Sequence, residues 1–195
     1  KQFFEGVQTG KEPSLDDLKA TYHENWQNEG YVIPSQEQNY RRDGETALEA
    51  FYRRYQSAKI VPLHLEWKFT LPVGAHFITG YVDRIDALGD GVCAVIDYKT
   101  GKPRTQKDVD ADLQLSMYAF AVRECLGLRA DRLSLHFLQT DEMISTTRTD
   151  TQLSEVTEHL LSVAEAISAR KFEANPDSFK CGRCDYAGIC PAMEA

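Results

Sequence analysis

The sequence feature that most constrains the fold is a change of hydrophobic period near Leu63. From there to Tyr98, apolar and polar residues alternate in three segments, separated by Gly74 and by the glycine-rich turn 89–91. Alternation with a period of two is typical of β-strands, and short glycine-rich turns join antiparallel neighbours. The sequence therefore predicts three consecutive antiparallel strands, the last of which is a dense apolar run that reaches Asp97.

Helical patterns lie on both sides of this region. Ser14 and Asp17 have the spacing of a capping box, and Gly30 separates two stretches in which apolar residues recur at helical intervals. The other predicted elements are N-terminal helices, one of them over about 35–58, a helix over about 109–126, strands over 133–138 and around 144–147, and a helix over 153–170. This order predicts an α/β fold in which helices flank a central mixed sheet.

Length and composition favour one compact domain. The chain has 195 residues, of which 42% are hydrophobic and 27% are charged, as in ordinary globular proteins. We divide it into a helical part over 1–60, a core over 61–172 and a cysteine-rich tail over 173–195. Because it begins with Lys1 instead of Met, within a helical pattern, we expect it to be a piece of a longer protein.

The overall charge and the apolar pattern restrict the classes of partner. A net charge of −8 argues against nucleic-acid binding driven by overall charge, which usually accompanies an excess of Lys and Arg. It does not exclude a nuclease, because carboxylates that hold divalent metal ions are themselves negative. The sequence has no apolar run of about 18 residues and no signal peptide, so we expect no membrane partner and a cytoplasmic location.

Two acidic residues and one lysine are expected to meet at the end of the third strand. Asp97 and Lys99 are two positions apart and project from the same face, and a short turn brings Asp83 of the preceding strand opposite them. Carboxylates with an ammonium group suit phosphodiester hydrolysis, in which Mg²⁺ or Mn²⁺ polarises the phosphate and activates water.

We assign roles to these residues from that chemistry. Asp83 and Asp97 are the candidate metal ligands, with the backbone carbonyl of Tyr98 as a third, and Lys99 lies beside the attacking water. Glu66, between apolar neighbours on the first strand, is a further candidate that can point into the same cleft. The alternative is that this strand end is a surface turn with an ordinary ion pair.

The residues at this place resemble a known family. The segments GYVDRID (80–86) and IDYKTG (96–101) are similar to those of the RecB-like branch of the PD-(D/E)XK nuclease superfamily. Gln114 and Tyr118 resemble that family's Gln-x-x-x-Tyr motif, which is associated with the active site and with DNA contact. Residues four apart share one helix face, so both side chains can face the site.

The resemblance carries expectations about fold and function. It implies a restriction-endonuclease-like core and a metal-dependent deoxyribonuclease, either an exonuclease or an endonuclease, that acts on single-stranded or end-processed DNA. It further implies attachment to a helicase domain or subunit as part of a larger DNA repair or recombination protein. It also implies a histidine metal ligand on an upstream helix, for which the sequence offers no match. An impaired nuclease-like module that binds DNA or acts as a scaffold therefore remains the alternative.

The tail contains a cluster of cysteines. Cys181, Cys184 and Cys190 fall within the last fifteen residues, and such spacing in a chain without a secretory signal favours metal over disulfides. A bare Cys-x-x-Cys suggests zinc, whereas the full pattern, followed by Pro191, resembles relatives that carry a [4Fe-4S] cluster. The fourth ligand of such a cluster is not found in this chain, so three thiols without metal is the other interpretation.

Overall fold

The computed structural model describes residues 1–31, 33–56, 58 and 60–193. Its strands are β1 (Pro62–Val73), β2 (His76–Gly89), β3 (Val92–Lys99), β4 (Arg129–Phe137) and β5 (Glu142–Thr146). Its helices are α1 (Gln2–Gln8), α2 (Leu15–Glu24), α3 (Pro34–Tyr55), α4 (Gln106–Asp110), α5 (Leu113–Leu126), α6 (Asp150–Ser168) and α7 (Ser178–Cys181), and two short 3₁₀ helices follow them (Ala187–Ile189 and Pro191–Met193). Residues 1–157 form one compact unit and residues 158–195 a second.

The five strands form one mixed sheet in chain order. β1, β2 and β3 pair antiparallel, as predicted, β3 and β4 pair in parallel, and β4 and β5 pair antiparallel. The turn between β2 and β3 has positive φ at Gly89 (+94°), Asp90 (+49°) and Gly91 (+76°), a conformation that glycine adopts without a steric penalty. The α/β prediction with a central mixed sheet is therefore confirmed.

Helices pack against both faces of this sheet. On one face α5 contacts β1, β3 and β4, and its Tyr118 reaches Asp97 of β3. On the other face Tyr98 packs against an apolar cluster that includes Phe4 of α1 and Tyr55 of α3. Adjacent residues of β3 thus point in opposite directions, as the pleat requires, and Asp97 and Tyr98 face different helical layers.

The predicted helix over 109–126 is broken in the structure. α4 ends at Asp110, and α5 begins after Asp112. The Asp112 carboxylate accepts a hydrogen bond from the Leu115 amide at 2.9 Å, which is the geometry of an N-cap and favours a new helix start. The prediction missed this break because the apolar period continues across it.

The N-terminal helices follow the predictions closely. The capping box at Ser14 and Asp17 forms in both directions, and α3 starts with Pro34 in its first turn, where proline costs no hydrogen bond. The helix predicted to reach about residue 58 ends at Tyr55. Ser57, Val32 and Lys59, which belong to the predicted helical part, lie outside the described residues, as do the last two residues of the tail.

Gly80 fits a close contact under the ring of Phe69. A Cβ atom at Gly80 would lie 2.6 Å from the Phe69 ring, and Phe69 is itself buried. Phe69 in turn packs edge-on against Tyr118, with ring centroids 6.2 Å apart. Since the ring cannot retreat into a filled core, Gly80→Ala is expected to lower the free energy of unfolding by about 1–3 kcal/mol.

Thermal or denaturant unfolding would measure this loss. The matched control is Gly101→Ala, because a Cβ atom there meets nothing within 4 Å. Equal stability of the two variants would contradict the packing argument.

Candidate active site

Asp97 and Lys99 form an ion pair at the carboxyl end of β3. Lys99 Nζ lies 2.6 Å from Asp97 Oδ2, and Asp97 is only 3% exposed. The same oxygen is buried and has no hydrogen bond of regular geometry among the described residues. The ion pair therefore leaves a buried carboxylate oxygen that is only partly satisfied, which is unusual in a packed interior.

Asp83 joins this pair from β2. Arg84 pairs with Ile96 in the β2–β3 register, so one further step places Asp83 opposite Asp97. The Asp83 Oδ2 atom accepts a hydrogen bond from the backbone amide of Tyr98 at 2.8 Å. The strand register thus brings the two predicted carboxylates to one side of the sheet.

Gln114 and Tyr118 of α5 close a ring of hydrogen bonds over the carboxylate. Lys99 Nζ donates to Gln114 Oε1 at 2.8 Å, and Gln114 Nε2 donates to the Tyr118 hydroxyl at 2.7 Å. The Tyr118 hydroxyl donates to Asp97 Oδ1 at 3.4 Å. Four of the predicted site residues, from a strand and a helix, therefore lie in one connected network.

The ionisation of the site reflects its burial. Burial raises the pKa of Asp97 above its ordinary value, Lys99 opposes this rise, and the negative charge of Asp83 adds to it. Burial and the charge of Asp97 raise the pKa of Tyr118 to about 12, so its hydroxyl is neutral near pH 7 and able to donate. A cation placed between the two carboxylates would relieve their mutual repulsion.

Among the described contacts, the Glu66 side chain does not join this network. Its carboxylate forms an exposed ion pair with Lys1 Nζ at 2.8 Å. Its backbone φ of +46° is left-handed, and the register that pairs Leu65 with Arg84 and Trp67 with Val82 places it opposite Asp83. A catalytic role for Glu66 remains a prediction.

Arg84 supports the site from the opposite face of the sheet. It is 2% exposed, pairs with Asp86 at 3.1 Å and donates to the Tyr98 hydroxyl at 2.7 Å. Its guanidinium also lies over the rings of Phe4 and Tyr55, 4.2 and 4.7 Å from their centroids. The side chain of Tyr98 is thereby fixed behind the strand segment that presents Asp97 and Lys99.

Asp112 is a supporting residue that the sequence reasoning missed. Besides capping α5, it pairs with Arg104 at 2.8 Å, and its carbonyl accepts from Arg148 at 3.0 Å. This anchors the helix start two residues before Gln114. An aspartate directly before an apolar helical stretch was the available signal.

The donors at the strand end suit a hard divalent cation. Asp83 and Asp97 supply carboxylate oxygens, and Asp97 Oδ2, although it is paired with Lys99, accepts no regular hydrogen bond among the described residues. The amide of Tyr98 points to Asp83, and the carbonyl of a strand residue faces the same side as its amide. No group of three His, Cys, Asp or Glu side chains meets at one place within the described residues. Two carboxylates and one carbonyl are fewer donors than the six that Mg²⁺ takes, and water and phosphate would supply the others.

The tail cysteines all carry free thiols. Cys181 ends α7, and the Cys184 amide donates to the Cys181 carbonyl at 3.3 Å in the turn that follows. Cys184 is exposed, whereas Cys181 and Cys190 are partly exposed. Their role as iron-sulfur ligands remains a prediction.

Comparison with known proteins identifies the family. The sequence model of the PD-(D/E)XK nuclease superfamily matches residues 1–191. Two curated relatives are the Gene 69 protein of Mycobacterium phage D29, 29% identical over 136 residues, and that of Mycobacterium phage L5, 28% identical over 136 residues. Each alignment covers 67% of this chain, and 48% and 45% of the respective relatives, so the matched region is about half the length of those proteins.

Solved structures show weaker likenesses. A protein from Eubacterium rectale that is provisionally assigned as an exonuclease has a TM-score of 0.44 and 15% identity, covering 99% of this chain and 71% of its own. SSO0001 has a TM-score of 0.47 and 18% identity, covering 98% of this chain and 99% of its own. Neither likeness is close enough to support an argument, and the assignment depends on the match along the sequence. That match, over nearly the whole length, shows that the chain belongs to the PD-(D/E)XK nuclease superfamily.

Proposed function

We propose that this chain cleaves DNA by metal-dependent hydrolysis of the phosphodiester bond. The observation that carries the proposal is the convergence of Asp83 and Asp97 beside the ammonium group of Lys99. A structural ion pair at a strand end does not require a second carboxylate beside it, whose charge opposes ionisation of the first. A site that holds a cation and a phosphate does require it.

Each side chain has a task in this reaction. Asp83, Asp97 and the Tyr98 carbonyl would hold Mg²⁺ or Mn²⁺, which when bound polarises the phosphate and activates water. Lys99 has three N–H donors, and within the described residues two of them are directed to Asp97 and Gln114. The third can be directed to a phosphate oxygen or to the attacking water, and the charge of Lys99 stabilises negative charge that develops on the phosphate.

Gln114 and Tyr118 orient the catalytic pair. Gln114 accepts from Lys99 and donates to Tyr118, which leaves the Tyr118 hydrogen for Asp97. The network therefore fixes the direction of the lysine ammonium group and one carboxylate oxygen at the same time. We infer that both residues act by positioning these groups, with DNA contact as a further possible task.

The family resemblance also carries predictions about parts of the protein outside the site. Attachment to a helicase, membership of a repair or recombination protein and a [4Fe-4S] cluster at Cys181, Cys184 and Cys190 remain predictions of that resemblance. Among the described helices, none is long and apolar enough to span a membrane.

Incubation of the purified chain with labelled DNA tests the proposal directly. We expect cleavage of the strand with Mg²⁺ or Mn²⁺ and none with excess chelator, and we expect calorimetry to detect Mn²⁺ binding that Asp83→Asn and Asp97→Asn each weaken. Binding of DNA without cleavage in either metal, together with no binding of Mn²⁺, would instead favour the scaffold module.

A further inference from the structure

A cleft lined by aromatic rings opens beside the proposed active site. It has a volume of about 1090 Å³ and lies among α1, α2, α3 and the end of β3. The rings that form its wall come from α2, the following loop, α3 and β3: Tyr22, Trp26, Tyr31, Tyr40, Phe51 and Tyr98. The chemistry proposed at Asp97 does not use any of this space.

The rings of the wall contact one another, and the outermost of them, Tyr40, is exposed. Trp26 and Tyr31 are nearly parallel, with centroids 5.8 Å apart and planes inclined by 5°, and Tyr31 contacts Tyr40 at 5.9 Å. The Arg41 guanidinium lies 5.4 Å from the Trp26 centroid. Tyr40 is 51% exposed and inclined by 41° to Tyr31, so much of its ring is open to solvent.

The packing of α2 against α3 shapes this cleft. Gly44 lies within α3, where a Cβ atom would come within 2.1 Å of the Tyr22 hydroxyl. Glycine in a helix interior costs about 1 kcal/mol relative to alanine. Gly44 therefore lowers the stability of the isolated helix but leaves the space that the Tyr22 side chain occupies. The aromatic wall is therefore a built feature of the helical layer.

The cleft ends at the strand that carries the site. Tyr98 and Thr100 line it, and they are the sequence neighbours of Lys99 on either side. The side chain of Tyr98 faces the helical layer, whereas Asp97 and Lys99 face α5, so the cleft and the carboxylates meet only around the carboxyl end of β3. A polymer that passes this strand end can contact both the cleft and the carboxylates.

We propose that the cleft is a site at which unpaired bases of the DNA strand stack, an inference that rests on the proposed nuclease function. Aromatic rings hold bases by stacking, and in a duplex the base faces are already stacked on each other. The chain carries a net charge of −8, so contacts to phosphate alone would hold DNA weakly. Stacking supplies affinity that does not depend on that charge.

Binding of short oligothymidylate to variants of Tyr40 tests the inference. In an Asp97→Asn background, which prevents cutting, Tyr40→Ala is expected to weaken binding by about 10-fold, the loss of one stacked base. Tyr40→Phe, which keeps the ring, should bind within about 2-fold of the parent because stacking needs no hydroxyl. Fluorescence anisotropy of the labelled strand measures both affinities.

Matched controls separate stacking from charge and from general surface effects. An abasic strand of the same length keeps its phosphates, so it should bind weakly and be insensitive to Tyr40→Ala. Phe77→Ala removes an exposed ring at the β1–β2 turn, outside the cleft, and should leave the affinity unchanged. Equal binding of the abasic strand, of a duplex or of Tyr40→Ala would each overturn the inference.

Failure of this inference can be told apart from failure of the proposed function. If the wild type cuts DNA and Tyr40→Ala cuts oligothymidylate with an unchanged KM, the cleft is not a base site although the nuclease proposal holds. If oligothymidylate binds in a Tyr40-dependent manner but is never cut with Mg²⁺ or Mn²⁺, the base site stands and the nuclease proposal fails.

Discussion

Replacing Lys99 by methionine is expected to reduce the rate of metal-dependent DNA cleavage by about 100-fold or more, while Mn²⁺ binding and the fold are retained. The ammonium group is the only cationic group that the described contacts place on the Asp97 carboxylate, and it can stabilise negative charge on the reacting phosphate. Loss of one such electrostatic contact commonly costs 10²- to 10³-fold in rate. Single-turnover cleavage of a labelled strand measures the effect.

A second substitution in the same site should have a different signature. Asp97→Asn removes a proposed metal ligand, so both Mn²⁺ binding and cleavage are expected to fall. Burial raises the pKa of Asp97, which means that burying its negative charge costs stability. The neutral amide removes that cost, so Asp97→Asn should remain folded, as thermal unfolding would show.

Lys102→Met is the matched control for the lysine. Lys102 is exposed and lies in the loop that follows β3, so its loss removes the same charge from the same region without touching Asp97. We expect cleavage within about 2-fold of the wild type. Cleavage by Lys99→Met at the wild-type rate would remove Lys99 from the reaction, and an equal loss in Lys102→Met would point to general charge instead.

The arrangement of Asp83, Asp97 and Lys99 could be predicted because strand geometry is local. Residues two apart on a strand share a face, and a short turn fixes the register of the two strands that it joins. The same logic placed Gln114 and Tyr118 on one face of a helix, although only the family resemblance directed that face to the site. Local periodicity thus predicted which residues share a face, but it did not predict the hydrogen bonds among them.

Features that depend on long-range packing were less predictable. Glu66 has the alternation of a strand residue, but its left-handed φ and its ion pair with Lys1 were not expected. The helix break at Asp112 depends on its carboxylate capping α5 and pairing with Arg104. Neither contact changes the hydrophobic period of the sequence. The aromatic cleft does not change it either, because its rings come from four separate segments.

The largest expected loss of stability comes from Arg84→Met. The substitution would leave Asp86, which is 5% exposed, as a buried carboxylate without its partner, and it would remove the cation from the rings of Phe4 and Tyr55. Breaking one half of a buried ion pair typically costs about 3–5 kcal/mol. Denaturant unfolding at pH 7 measures the change in the free energy of unfolding. The control is Arg129→Met, which breaks an ion pair with Asp131 in which the Arg129 side chain is 74% exposed. We expect no measurable change in its stability.

The double variant Arg84→Met/Asp86→Leu determines whether the ion pair itself stabilises the fold. Burial raises the pKa of Asp86 in spite of the neighbouring guanidinium, and Asp86 Oδ1 and Arg84 Nε have no hydrogen-bond partner within the described residues. The pair is therefore incompletely compensated, and its replacement by apolar side chains should recover most of the stability that Arg84→Met loses. A double variant as unstable as the single one would show instead that Arg84 stabilises the fold through Tyr98 and the aromatic rings, because those contacts are lost in both variants.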